Sequence, residues 1–348
     1  MPSNSNSPTS ATSKTSERPP RSVRITTTIA GRQWNSLLAT AEGATPFHRY
    51  EFLTALAEDS GTTFHPIVGL VDNRPVGVFP VFERSLGPVT TLGSPVPRYE
   101  VRYLGPLSCR PPQRESDAVR ACRRRRDFLV AAISCVRSRF APISVQFQTT
   151  PQFDVCGLFE SCGYETAARH AHVVNLTAFP RGRDEVDGEY RSNPRAVQIS
   201  EAGVDSVASI VDCLRTRHRD RGYDSRITAE FVTDLAERLP DGTVRPYVAR
   251  RSSRILGGVI TLDDGETVYR WLPGIPSETD QTVTERLDRH IANRAAERGR
   301  KRYDLMAVDH CPMARETSPV DRDVVTSQRL RRRSRSVAML SNLVQWLR

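Results

Sequence analysis

The stretch that decides the fold is Arg254–Val308, RILGGVITLDDGETVYRWLPGIPSETDQTVTERLDRHIANRAAERGRKRYDLMAV. Ile255–Leu262 is an apolar run of strand length. Asp263-Asp264-Gly265 is turn chemistry, because an aspartate–glycine step favours a tight hairpin. Thr267–Leu272, rich in β-branched and aromatic residues, is a second strand. Pro273, Gly274 and Pro276 break the pattern. Val283, Leu287, His290, Ile291 and Ala295 then recur at three- or four-residue spacing, which predicts a helix closed by Gly299 at C′. Tyr303–Val308 is a third strand. The order is hairpin, helix, strand.

The 348 residues suffice for two α/β domains. No apolar run reaches about 18 residues, so no transmembrane helix is expected. The N-terminus, MPSNSNSPTSATSKTSERPP, lacks an apolar signal core, which points to a cytoplasmic protein. Its Ser, Thr, Pro and Asn cannot bury enough apolar surface to order residues 1–22. The formal net charge is +10, carried almost wholly by arginine, since Lys14 and Lys301 are the only lysines. A polyanionic partner (RNA, an anionic lipid surface, a phosphate-rich donor) and a mere compositional bias both explain that charge. The densest clusters are Arg123–Arg126 and Arg329–Arg335, the latter placing several charges within two helical turns. The seven cysteines form no CxxC pair and no histidine cluster completes a zinc pattern, so reduced core thiols and no metal are expected.

Upstream, Thr45–Gly61 reads as a helix entered at Pro46. Phe64–Arg84 reads as strand, Asp-Asn turn, strand, with Gly77 and Pro80 marking a bend or an edge position. A glycine–proline connection (Leu86–Arg98) leads to a short strand at Val101–Leu104. A helix is expected over 115–139, a strand over Ile143–Gln148, a short helix over Gln152–Cys162 and a strand over Tyr164–Leu176. Asp205–Tyr223 and Ala229–Leu239 are helical patterns, and Gly242–Arg250 is the strand that enters the hairpin.

Three pieces of this first half carry a resemblance: Thr45-Pro46-Phe47 through Phe52-Leu53, Arg74-Pro75-Val76-Gly77 through Pro80-Val81, and Leu158 through Gly163-Tyr164 followed by Val173-Val174-Asn175-Leu176. In order and spacing they resemble FemAB-like proteins with a BioF2-like acetyltransferase domain of the GNAT superfamily. The resemblance implies tandem GNAT-like N-acyltransferase domains with mixed central sheets flanked by helices, over 23–176 and 177–348. It also implies a basic helix near Tyr190–Val204, where Pro194 breaks the pattern. The family's C-terminal lysine–glycine motif is replaced here by a segment containing Arg315.

Under this resemblance acyl-CoA is the co-substrate, and its pyrophosphate meets the helix N-terminus after the second hairpin strand, at Thr279, Gln281 and Thr282. That segment lacks glycine, and Glu278 and Asp280 repel phosphate, so an ordinary N-terminus capped by Ser277 or Thr279 is the competing reading. Candidate bases for deprotonating an amine are Asp304, His218 and Asp309. Candidate substrate contacts are Arg217 and Arg219 on a basic helix end, and Tyr269 and Trp271, alternate residues of one strand. Solvated helix-end cations and cross-strand packing explain the same residues without a ligand. The expected function is transfer of an acyl group to an amine such as an amino sugar, in surface polysaccharide synthesis. FemAB-type aminoacyl transfer from charged tRNA and a catalytically degenerate binding protein are the alternatives.

Overall fold

In the computed structural model the described residues are 22–87, 89–110, 118–153, 158–177, 179, 197–277, 279, 281–306 and 322–333. Their elements in chain order are β1 (Arg24–Thr26), α1 (Gly31–Leu38), β2 (Ala41–Glu42), α2 (Tyr50–Ser60), β3 (Thr63–Val71), β4 (Arg74–Leu86), β5 (Val89–Ser94), β6 (Leu107–Cys109), α3 (Ala118–Phe140), β7 (Ser144–Gln148), α4 (Leu158–Ser161), β8 (Glu165–Asn175), β9 (Val197–Glu201), α5 (Val207–Asp220), α6 (Ala229–Arg238), β10 (Val244–Arg251), β11 (Arg254–Asp263), β12 (Thr267–Gly274), α7 (Gln281–Glu297), β13 (Arg302–Asp304) and β14 (Arg322–Arg333). The α/β class, with a mixed sheet flanked by helices, is as expected.

The strands form one sheet in the order β1-β3-β4-β5-β7-β14-β8-β13-β12-β11-β10-β9. Each half of it repeats one arrangement: an antiparallel meander, a helix, and a strand returning parallel to the meander's last strand. In the first half β7 returns beside β5, and in the second β13 returns beside β12. The halves are joined because β8 pairs antiparallel with both β13 and β14, while β14 also pairs with β7.

Two cross-strand glycine pairs seat helices on this sheet. Gly69 faces Gly77 in β3–β4, and a Cβ at either position would overlap the ring of Phe128 on α3. Gly258 faces Gly274 in β11–β12, and a Cβ on either would overlap Ile210 on α5. Gly77 is therefore not an edge marker: it pairs with Gly69 of β3 on one side and Ser108 of β6 on the other, and the missing side chain is filled by Phe128. On the other face, Phe47 and Phe52 from the first half meet Phe231 and Trp271 from the second, ring edges on ring faces at 5.7–6.4 Å. One apolar core thus runs through both halves.

Local chemistry sets the boundaries. Gly61 ends α2 at φ 64°, and Gly299 ends α7 at φ 76°, as its C′ position requires. Asp72 and Asn73, both at positive φ, make the two-residue hairpin between β3 and β4. Thr228 caps α6 by accepting the Phe231 amide at 3.0 Å.

Several expectations are corrected. The connection Leu86–Arg98 contains a strand, β5, which finds its partner in β7 more than fifty residues later. Val101–Leu104 is not a strand; Leu104 makes a single bridge to Gln148. The short helix is confined to Leu158–Ser161 among the described residues. Where a basic helix was expected, Val197–Glu201 is a strand paired to β10, and Tyr190–Ala196 lie outside the described residues. Arg329–Arg333 belong to β14 and not to helical turns, because β7 pairs with all five residues and β8 with Arg329–Arg331. Residues 1–21 lie outside the described residues.

Candidate active site

The parallel pairing of β12 and β13 lasts three residues: Thr267 opposite Arg302, Val268 opposite Tyr303, Tyr269 opposite Asp304. β12 then continues through Arg270–Gly274 without that partner. Alternation sends Tyr303 and Arg270 to the α7 face. There the Asp288 carboxylate, fully buried on α7, accepts from Arg270 Nε and from the Tyr303 hydroxyl, each at 2.7 Å. Burial pulls the Arg270 pKa down, but the Asp288 charge, Tyr303 and the hydrogen bonds to both together hold the guanidinium above its ordinary pKa. This pair-plus-hydroxyl clamps the two strands where they part.

Tyr269 and Asp304 take the opposite face and line a cavity of about 1050 Å³. Its walls come from both halves, including Arg49, Tyr103 and Gln152 from the first and Asp264 and Arg302 from the second. Asp304 is 5% exposed. Burial raises its pKa to about 6, against the opposing pull of the Met306 amide, which donates to Oδ1 at 2.8 Å, and of Arg302 and Arg102. The Tyr103 hydroxyl is buried beside this carboxyl, outside ideal hydrogen-bond geometry. Tyr269 donates its hydroxyl to Asp264 Oδ2 at 3.1 Å; burial, then Asp264 and Asp304, push its pKa well up and keep it protonated. The arrangement is a carboxyl that ionises near neutral pH, flanked by two phenols that stay hydrogen-bond donors, at the wall of a cavity large enough for a polar small molecule.

The other expected site residues fall elsewhere. Trp271, two residues along from Tyr269, is 2% exposed in the aromatic core and donates its indole N–H to Tyr99 O at 3.4 Å. Arg217, His218 and Arg219 form the last turn of α5. Arg217 donates to the Pro273 carbonyl at 3.0 Å, at the unpaired end of β12, and burial followed by Arg221 lowers its pKa to about 10. The His218 ring packs edge-on against Tyr223 at 4.9 Å, and burial lowers its pKa although Glu100 opposes that. Gln281 and Thr282 are exposed in the first turn of α7, while Thr279 donates its hydroxyl to Leu256 O at 3.3 Å. Asp309 and Arg315 lie outside the described residues.

Tyr103, Asp264, Asp288 and Glu100 escaped the sequence reading. Asp264 sat in plain view as turn chemistry, but nothing in the local pattern marks the other three. Met306, Arg98 and Glu100 are non-glycine residues held at φ 49°, 74° and 55° around the site. Such backbone costs about 1–2 kcal/mol per residue and collects where side chains must be aimed. Among the described residues, no group of His, Cys, Asp and Glu could hold a metal ion, and no helix is long and apolar enough to cross a membrane.

Comparison with known proteins fits this geometry. Residues 182–311 match the family model "Acetyltransferase (GNAT) domain". Among solved structures, the crystal structure of FemX superposes with a TM-score of 0.56 at 8% identity, covering 88% of this chain and 96% of that one. The C-terminal domain of a putative lysylphosphatidylglycerol synthetase from Agrobacterium fabrum gives 0.49 at 10% identity, covering 90% and 94%. A tandem GNAT protein from the clavulanic acid biosynthesis pathway gives 0.48 at 12%, covering 89% and 98%. No curated protein matches the chain. Residues 182–311 thus match a GNAT acetyltransferase domain, and the chain along most of its length has the fold of FemX.

Proposed function

We propose that the protein transfers an acyl group from acyl-CoA to a primary amine, with Asp304 as general base. The observation that carries this reading is a buried carboxyl of pKa about 6 at the wall of a cavity built from both halves. An amine arrives as its ammonium ion and meets Asp304 at the cavity wall, where Glu266 is already paired with Arg302. Asp304 takes one ammonium proton, freeing the nitrogen lone pair to attack the thioester carbonyl. The Tyr103 hydroxyl is the donor at hand for the oxyanion, since the Tyr269 hydroxyl proton is already given to Asp264. The carbon–sulfur bond then breaks, and the second nitrogen proton leaves with the thiol. An amino sugar of a surface glycan is the acceptor class we favour, in a cytoplasmic setting. The chain is read as two GNAT-like units over 23–176 and 177–348, the second carrying the base.

The donor's reactive arm would lie along the end of β12 that β13 leaves unpaired, bounded by Thr279, Gln281 and Thr282. His218 and Asp309 are the remaining candidate bases, and Arg217 and Arg219 the candidate substrate contacts. Pro273 offers no N–H there and its carbonyl is held by Arg217, so this edge gives the arm fewer backbone partners than a strand normally would. A second reading, aminoacyl transfer from charged tRNA, draws support from the arginines of α5. Thermal unfolding with acetyl-CoA, longer acyl-CoA and bulk tRNA separates the two. A ligand at about a hundred times its Kd adds about 2.7 kcal/mol, a rise of several degrees. A rise with tRNA and none with either acyl-CoA would replace the first reading by the second.

A further inference from the structure

The last turn of α5 faces the segment Arg98–Tyr103, and the two form a cluster that the proton transfer at Asp304 does not use. Arg98 and Arg102 act on Tyr223, Arg217 and Arg221 act on His218, and the Arg226 amide donates to Arg98 O at 3.0 Å. Against these five arginines stand Glu100, Asp220 and Asp224, so the cluster is a net cation. Its one direct ion pair, Arg98 with Asp224 at 2.8 Å, is open to solvent. At its floor two buried polar atoms have no hydrogen-bond partner: His218 Nδ1 and Glu100 Oε1. Buried polar atoms are nearly always paired, and of these two His218 Nδ1 is the one that can donate to an anion.

The cluster is continuous with the acyl-transfer site. Arg217 reaches the Pro273 carbonyl at the free end of β12. Arg102 acts on Asp304 and Tyr103 as well as on Tyr223. By contrast, the entry to α7 offers the uncharged Thr279, Gln281 and Thr282, with Glu278 and Asp280 on either side of Thr279 in sequence.

We propose that this cluster is the dock for the phosphate groups of a nucleotide thioester donor, with His218 Nδ1–H donating to a phosphate oxygen at its floor. This rests on the acyl-CoA reading above and specifies where that donor's charge is held: by guanidinium groups of α5 and the facing segment, not by the N-terminus of α7. Guanidinium forks suit phosphate geometry, and phosphate binding there would draw His218 toward its charged form, between Glu100 and the new anion.

The test is calorimetric binding of coenzyme A, 3′-dephospho-coenzyme A and pantetheine to the full chain and to an Arg98→Gln/Arg221→Glu variant. Both side chains are exposed, and thermal unfolding of the variant checks the fold. The expected result is coenzyme A binding weakened about tenfold or more in the variant, with pantetheine binding unchanged. The His218 ring resonance should also titrate at higher pH when coenzyme A is bound, with Glu100, Tyr223, Arg217 and Arg221 as the groups facing it. Equal coenzyme A binding by wild type and variant would overturn the dock and leave the acyltransferase reading standing. No coenzyme A binding by the wild type, with tRNA bound and then lost in the variant, would overturn the nucleotide-thioester dock and the acyl-CoA reading together.

Discussion

Tyr269 and Asp304 stand opposite each other in the last rung of the parallel ladder between β12 and β13, and both face the same cavity. That rung is where the strands part, and the cavity the phenol and carboxyl face is bounded by the β11–β12 turn, Asp263–Thr267, at the paired end.

Asp304 costs the fold stability at neutral pH. Its pKa is about 6 folded and 3.8 ordinarily, so the folded state binds the proton more tightly than the unfolded one. Below about pH 4 the carboxyl is protonated in both states and costs nothing. As pH rises from 4 through 6 the protein loses about 3 kcal/mol. Asp304→Asn keeps the acceptor oxygen for the Met306 amide and removes the ionisation. Its Tm should exceed that of the wild type at pH 8, and the gap should close at pH 4; a gap independent of pH would show that the carboxyl is not strained by burial.

His48 has the opposite sign. It is fully buried, its Nδ1 lies 2.9 Å from Thr45 Oγ1, and burial depresses its pKa to about 3. The unfolded chain protonates near 6.5, so stability is complete above that value and falls as pH drops from 6.5 toward 3. Denaturant unfolding should weaken steeply over that window by up to about 5 kcal/mol, and His48→Gln should flatten the slope.

Gly77→Ala should destabilise by about 1–3 kcal/mol through overlap with Phe128, and Phe128→Leu in the same chain should recover part of the loss. Gly274→Ala meets the backbone carbonyl of Ile210, which no side-chain change can relieve, so no partner substitution on α5 should rescue it. Urea midpoints of the single and double variants measure both.

Asp288→Ala leaves the Arg270 guanidinium buried without its anion, a change worth about 3–5 kcal/mol. Because Asp288 also holds Tyr303, one residue before Asp304, hydrogen exchange should accelerate at the β12–β13 amides ahead of the rest of the sheet.

The second half of the fold was legible because its signals are local. The Asp263-Asp264-Gly265 turn, the period of α7 and Gly299 each announce themselves within a few residues, and Asp304 followed from a short resemblance. What stayed hidden depends on distant partners. β5 is flanked by Gly87-Pro88 and Pro95 and becomes a strand through β7; β14, dense in arginine, becomes one through β7 and β8. Tyr103 meets Asp304, and Glu100 meets His218, across more than a hundred residues. No periodicity encodes such meetings. They arise when both halves close over one core.

The most direct test of the base is thiol release from acetyl-CoA with a panel of amino sugars, followed from pH 5 to 8 for the wild type and Asp304→Asn. The wild-type rate should climb with an apparent pKa near 6, and the variant should lose about a hundredfold or more along with that limb. A variant as fast as the wild type, with the same pH profile, would contradict the assignment.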